Sequence, residues 1–315
     1  MKHLVINSFG TFLGLRSQRI VVLQNKTQIA EIALKNLKTI SVNSGGVSIS
    51  SDLITACANY GIKIFFNSFR TFCALHTPCE HKSANVLKMQ FANSNGEFGL
   101  NLAREFIIGK IKNSRSSVLY FSRSSALKDK ENLLNLFENA INSLKFVKTT
   151  NEIFGIEGSV ANAYFDFLRQ NSLLPSSFET RTKQNSTDIT NKALNYGYAI
   201  LLNFVYKSVI NAGLNPYYGV LHVLRSGKPS LCLDIMEEYR SFVVDRNIIK
   251  MRSHLSGDFD KIKKEVAQNI LDSFDKKLIY HGRKLTLSSI MQRQIYRLAG
   301  AFCEQKRYKS YIFRW

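Results

Sequence analysis

Short apolar runs separated by turn-forming residues dominate residues 1–80. Runs rich in Val, Ile, Leu and Phe alternate with Asn, Gly and Ser, a pattern typical of strands. One stretch differs, because the apolar residues from Ser50 to Tyr60 recur at helical spacing, with Ser51 as the candidate N-cap and Gly61 as the terminator. We therefore predict a small β-rich domain with one helix. The predicted strands cover 1–8, 10–15, 19–24, 28–33, 37–42 and 62–66.

The hydrophobic pattern changes at residue 96. The polar segment 81–95 is the predicted linker between two domains. Beyond it, apolar residues recur at three- and four-residue spacing over long stretches, which predicts amphipathic helices. We predict a larger, all-α catalytic domain over 96–315, so the expected fold class is α+β. The predicted helices cover 100–113, 131–145, 157–170, 192–212 and 231–252, and two more follow.

The charge balance of the chain indicates a polyanionic partner. The 315 residues include 43 Lys and Arg against 23 Asp and Glu, a formal net charge of +20. Such an excess repels itself in the folded state, and a nucleic acid relieves that repulsion by direct phosphate contacts. A basic surface that serves only solubility is the alternative interpretation.

No membrane or export segment is apparent in the sequence. Residues 1–20 lack the apolar run of a signal peptide, and no stretch approaches the 18 apolar residues of a transmembrane helix. The five cysteines are odd in number, which fits reduced thiols in a reducing compartment. We therefore expect a cytoplasmic protein without a membrane partner.

Three short segments place metal-binding side chains among apolar residues. Burying a carboxylate or an imidazole there is costly unless a metal, a hydrogen bond or a charge compensates it. Asp234 and Glu237 are three residues apart and share one face of a predicted helix, whereas Glu238 is expected on a more solvated side. The candidates are Glu157 within Gly155–Gly158, His222 after Val220 and Leu221, and Asp234 with Glu237.

Each of these segments also has a simpler explanation. Glu157 and the Asp234–Glu237 pair could be carboxylates at helix N-termini, where the helix dipole favours them. His222 could be a hydrogen-bonded core histidine. The two glycines beside Glu157 would allow a ligand or a second chain to approach the backbone closely. The combination of the three segments is what favours a metal site.

A second set of possible ligands, Cys73, His76, Cys79 and His81, could hold zinc. The spacing matches no established zinc class, and Cys73 lies in a strand-like run. Chance placement near the linker is the alternative, and the sequence leaves the choice open.

Basic residues cluster in three places and are candidate DNA contacts. Ten Lys and Arg against one acidic residue lie in 276–315. Aromatic residues interleave with them and could stack on unpaired bases, although Tyr296 and Phe302 are expected in the core; the interleaved aromatics are Tyr280, Tyr296, Tyr308, Tyr311 and Trp315. Residues near the candidate ligands could also clamp phosphates. The predicted contacts are Lys110, Lys112, Arg115, Arg225, Lys228, Arg240, Arg283, Lys284 and Arg293.

Taken together, these segments resemble the CRISPR-associated "Cas-one" integrase family in content and order. The intervals agree as well, with 65 residues from Glu157 to His222 and 15 from His222 to Glu237. The matching segments, which cover nearly the whole chain, are 103–122, 155–165, 188–197, 213–222 and 228–246.

The resemblance implies a prokaryotic enzyme that inserts spacer DNA into a CRISPR array by 3′-hydroxyl attack on a repeat phosphodiester. It makes Glu157, His222 and Glu237 the ligands of Mg²⁺ or Mn²⁺, with Asp234 as a catalytic carboxylate that orients His222 or a water, or holds a second ion. It also implies double-stranded prespacer and repeat DNA as partners, a homodimer formed through the N-terminal domain, and a small "Cas-two" partner protein. A metal-dependent nuclease of the same fold acting in repair or transposition, and a non-catalytic nucleic-acid-binding protein, are the alternatives.

Overall fold

The computed structural model describes residues 2–67, 72–76, 83–183 and 186–314. The chain divides into two compact units, Met1–Asn85 and Val86–Trp315. The predicted fold class is confirmed, because strands and sheets come first and the second unit is mostly helical. The predicted linker is partly helical, since helix α2 spans Ser83–Asn93. Cys79, His81 and Trp315 lie outside the described residues, so the zinc hypothesis stays a prediction.

Two four-stranded sheets form the first unit. One has the order β1-β5-β7-β8, with β8 antiparallel to three parallel strands. The other has the order β4-β3-β2-β6, in which β6 runs parallel to β2. Leu13, Ile40 and Leu53 are fully buried in the core of this unit. The strands are Lys2–Ile6, Thr11–Arg16, Arg19–Gln24, Thr27–Ala33, Leu37–Val42, Ser48–Ile49, Lys63–Asn67 and Phe72–Leu75 (β1–β8).

The predicted helix of the first unit is present as α1, Ser51–Asn59. Its N-cap is Ser50, not Ser51 as predicted, because Ser50 has the extended backbone from which its hydroxyl accepts the Leu53 N–H. The chain leaves the helix through Gly61, whose φ of 63° suits glycine.

Helices form most of the second unit, and the five predicted between residues 100 and 252 all have counterparts. Helix α3 is longer than predicted at both ends, and α6 begins at the side-chain cap of Asp188, which accepts the Asn191 N–H. The two further helices that the sequence predicts are α9 and α10. The helices after α2 are Gly96–Phe121, Lys130–Ser143, Thr150–Gln170, Ile189–Asn211, Ser230–Met236, Arg246–Lys250, Phe259–Asp275 and Leu287–Glu304 (α3–α10).

The predicted continuous helix over 231–252 is interrupted. Helix α7 ends at Met236, a turn follows at 237–239, and Arg240–Asp245 form a π-helix before α8. Wider turns of this kind occur often at functional sites. The interruption also overturns the expectation for Glu238, which is fully buried rather than solvated.

The C-terminal part adds two features that the sequence did not predict. A hairpin of β9, Lys277–Tyr280, and β10, Arg283–Thr286, precedes α10, so the second unit is not purely helical. The tail after α10 returns to the core, where Tyr308 and Tyr311 are buried, so the expectation that these two rings stack on bases is wrong. Tyr296 is 47% exposed, contrary to expectation, while its helical neighbours Ile295 and Leu298 take the core face.

The described residues contain no helix with both the length and the apolar content that crossing a bilayer requires.

Candidate active site

Asp234 is a wholly buried carboxylate that organises the loop carrying His222. Its Oδ2 atom accepts the backbone N–H groups of Val220 at 2.7 Å and Leu221 at 3.1 Å. Its Oδ1 atom accepts the backbone N–H of His222 at 2.9 Å and pairs with the Nδ1 atom of the same residue at 2.7 Å. Both oxygens are therefore used by the loop. Asp234 thus positions both the backbone and the ring of His222.

His222 is held by its Nδ1 atom, and the residue lines the adjacent cavity. A hydrogen bond at one ring nitrogen fixes the orientation of the ring and the role of the other nitrogen. The ring of Phe154 packs edge-on against the imidazole, with centroids 5.5 Å apart. Within the described part of the chain, Nε2 has no hydrogen-bond partner, so it is available as a ligand.

Glu157 lies in the interior of α5, not at its start as predicted. The helix begins seven residues earlier, where the hydroxyl of Thr149 accepts the Glu152 N–H. The explanation of Glu157 as a helix N-terminal carboxylate is therefore wrong. Among the described residues, a Cβ built on Gly155 or Gly158 would meet no atom within 4 Å beyond its chain neighbours and the backbone of its own helix, so both glycines face open space.

Glu237 follows directly on α7, and its side chain is 6% exposed. Its Oε1 atom lies 2.9 Å from Nη2 of Arg240, whose guanidinium also stacks over the ring of Tyr198. Burial opposes ionisation of Glu237, but Arg240 and Lys110 outweigh it and hold the pKa of this carboxyl well below its usual range. Glu237 is therefore an anion at neutral pH.

Lys110, on α3, lies between the two candidate glutamate ligands. Its Nζ atom pairs with Oε1 of Glu157 and lies 2.8 Å from Oε2 of Glu237. Burial alone would lower the pKa of Lys110, but the two carboxylates raise it above its ordinary value. The structure thus places a positive charge between Glu157 and Glu237. The sequence indicates Lys110 only as a DNA contact, because nothing local in α3 points to its ion-pair partners.

A cavity of about 440 Å³ brings these groups together. Glu157, His222 and Glu237 all line it, and Asp234 lies behind the His222 loop. Two cations that sequence reasoning did not select, Arg181 and Lys183, also line the cavity. The only sequence signal for them is a basic pair in a loop.

The predicted DNA contacts fall into two groups. Lys110 and Arg240 are engaged in ion pairs inside the cavity, whereas Arg225 and Lys228 are exposed at its edge. The others are exposed and do not line the cavity: Lys112 and Arg115 on α3, Arg283 and Lys284 on β10, and Arg293 on α10.

The candidate ligands fit Mg²⁺ or Mn²⁺ by their chemistry. Two carboxylates supply hard oxygen donors, and one imidazole nitrogen favours Mn²⁺. The pairing of both glutamates with one ammonium shows that this point of the cavity accommodates a cation. As the described side chains stand, no three acidic, histidine or cysteine groups converge closely enough to hold an ion. The ammonium group of Lys110 instead stands between Glu157 and Glu237.

The family of this chain follows from its similarity to known proteins. The model of the family described as "CRISPR associated protein Cas1" matches residues 4–281. The chain belongs to the Cas1 family. The resemblance seen in the sequence is thereby confirmed. A relative from Francisella tularensis subsp. novicida, named "CRISPR-associated endonuclease Cas1 1", is 40% identical over 322 residues, covering 100% of each chain.

Solved structures share the Cas1 fold of this chain. A casposase bound to its integration product has a TM-score of 0.74 at 20% identity, with 98% of this chain and 93% of that one covered. A chain of a partial Cas6-RT-Cas1–Cas2 complex has a TM-score of 0.73 at 19% identity, with 99% and 98% covered. At these identities the likeness concerns the fold.

Proposed function

We propose that this Cas1-family chain is a metal-dependent DNA integrase of CRISPR adaptation. In the proposed reaction, the 3′-hydroxyl at a DNA end attacks a phosphodiester at the edge of a CRISPR repeat. The observation that carries the proposal is that Glu157, His222 and Glu237 all line one cavity in a strongly basic protein. With water as the nucleophile, the same site would act as an endonuclease.

The two glutamates and the imidazole Nε2 atom would hold Mg²⁺ or Mn²⁺. When bound, such an ion lowers the pKa of a coordinated hydroxyl and neutralises charge at the phosphorus. Asp234 keeps the imidazole in its ligating orientation. Lys110 and Arg240 supply positive charge beside the ligands and are placed to counter the charge of a phosphodiester in the cavity.

Arg225 and Lys228 are placed to receive the DNA backbone at the edge of the cavity. Both are exposed, and neither forms an ion pair among the described residues. Each phosphate contact that they make would steepen the salt dependence of binding. The excess of 20 positive charges over the whole chain supports double-stranded DNA, prespacer and repeat, as the partner.

The proposal includes two protein partners. Joining two DNA ends to two strands requires two active sites, which a homodimer provides. The similar chain in a Cas1–Cas2 complex supports a small Cas2-type partner for this chain as well. Co-purification and mass measurement of the two proteins expressed together would test both interactions.

The test of the site is strand transfer by single variants. Glu157→Ala, His222→Ala and Glu237→Ala should each abolish joining and cleavage of DNA, because each removes a ligand. DNA binding should largely survive, since the basic residues remain. Glu131→Ala changes a carboxylate on α4 whose side chain is 74% exposed, and should leave activity unchanged. Retained strand transfer in any one of the three ligand variants would refute the assignment.

A second assay distinguishes adaptation from a general nuclease or a transposition enzyme. Target DNA with a CRISPR repeat is compared with a scrambled target of equal length and composition. Preference for the repeat, with the Cas2-type partner present, supports the proposal. Equal integration into both targets would favour the alternative.

A further inference from the structure

The loop after His222 exposes two adjacent apolar side chains. Val223 is 67% exposed and Leu224 is 61% exposed. Exposure of single apolar residues is ordinary, but these two are adjacent and directly follow a candidate catalytic residue.

This loop is held firmly at its base. The hydroxyl of Ser230 donates to the carbonyl of Val223 at 3.1 Å, and the N–H of Lys228 donates to the carbonyl of Arg225 at 3.1 Å. Gly227 completes the turn with a φ of 73°. On the other side, Asp234 binds the backbone of residues 220–222. The apolar pair therefore has a defined position relative to His222.

The charges around the pair indicate which partner covers it. Arg225 and Lys228 are exposed on the same loop, and residues 223–233 contain no acidic side chain. Val223, Arg225 and Lys228 line the cavity together with His222. Proteins that kink duplex DNA insert apolar side chains between base steps, and exposed Lys and Arg side chains bind phosphates.

We propose that Val223 and Leu224 form a wedge that enters the base stack of duplex DNA beside the phosphodiester in the cavity. This inference rests on the proposed function and adds a DNA-deforming element to it. Unstacking one base step bends the duplex, which brings the phosphodiester toward His222 and the two glutamates. The cost of unstacking depends on the base step, so the wedge would also favour easily deformed target sequences.

The experiment uses the double variant Val223→Ser, Leu224→Ser and a duplex target carrying 2-aminopurine at the integration step. Wild-type protein should raise the 2-aminopurine fluorescence on binding, whereas the variant should not. Strand transfer into the continuous duplex should fall by about tenfold or more, and transfer into a target mismatched at that step should stay near wild type. The control is Phe146→Ser, an 80% exposed apolar residue that does not line the cavity.

Three outcomes would overturn the wedge. The variant could unstack the step and join DNA as the wild type does. It could lose transfer equally on the mismatched target, which would mean that the pair acts on something other than stacking. It could change the mass of the assembly while the fluorescence response persists, which would make the pair a protein contact. Absence of strand transfer by the wild type on both targets would instead refute the proposed function, and the fluorescence comparison would still decide the wedge.

Discussion

Asp234 contacts His222 twice through a single oxygen atom. Its Oδ1 atom lies 2.9 Å from the backbone nitrogen and 2.7 Å from the Nδ1 atom of His222. The same carboxylate thus positions the backbone of this residue and the ring that projects from it. Because Asp234 is buried in α7, three residues before Glu237, the helix couples the placement of two candidate ligands.

Asp234→Asn should weaken metal binding without removing a ligand. The amide keeps one acceptor oxygen but turns an NH₂ group toward N–H donors of the loop, so the imidazole loses its fixed orientation. We expect about a 10- to 100-fold loss in Mn²⁺ affinity, measured by titration calorimetry. Asp166→Asn, at an exposed position of α5, is the control. Unchanged affinity in Asp234→Asn would show that the contact does not position His222.

Lys110→Met should destabilise the metal-free protein. The substitution removes a positive charge from beside the carboxylates of Glu157 and Glu237, which are largely buried. Buried carboxylates that lose a charge partner are destabilising. The midpoint of thermal unfolding should fall without metal and recover in part with Mn²⁺, so the shift caused by Mn²⁺ should exceed that of the wild type. Lys112→Met, two residues away on the exposed side of α3, should behave as the wild type does. Equal Mn²⁺ shifts in both variants would contradict a charge-compensating role for Lys110.

Glu238 should make the stability depend on pH. Burial raises the pKa of this carboxyl from 4.5 to about 8, although hydrogen bonds from Tyr311 N–H and the Tyr308 hydroxyl act against the shift. Between these values the folded state binds more protons than the unfolded state, so the free energy of unfolding falls as pH rises. The slope is at most about 1.4 kcal/mol per pH unit.

Urea denaturation from pH 5 to pH 8 measures this slope. Glu238→Gln cannot titrate, so its free energy of unfolding should change less over the same range. The difference between the two proteins isolates Glu238 from other titrating groups. Parallel pH curves would mean that Glu238 is already ionised in the folded protein.

Gly158→Ala should make the protein more stable and slow its strand transfer. None of the described residues fills the space at this glycine, so alanine should stabilise α5 by about 0.5–1 kcal/mol. Gly158 also lines the cavity, and a methyl group there would obstruct DNA that approaches the backbone beside Glu157. We expect slower strand transfer by a more stable protein. Gly300→Ala, at an equally open position of α10, should stabilise without slowing transfer. Full activity in Gly158→Ala would argue against close approach at that point.

Much of the fold could be predicted because its signals are local. The strands from β2 to β5 match the predicted runs within a residue or so, since alternating apolar side chains and turn residues are properties of neighbouring positions. The helices were found in the same way. The ends of the helices are harder to predict, as Ser50 and Thr149 show, because a cap depends on the backbone angles of one residue.

The sequence by itself determined the fold class, the family resemblance and which residue types could bind a metal. Only the tertiary structure decided how those residues meet. Lys110 reaches Glu157 and Glu237 because α3 packs beside α5 and the π-helix, and Glu238 is buried because the C-terminal tail covers it with Tyr308 and Tyr311. Periodicity records which face of a helix is apolar, but ion pairs and burial depend on which distant segments pack together, and that information is not local.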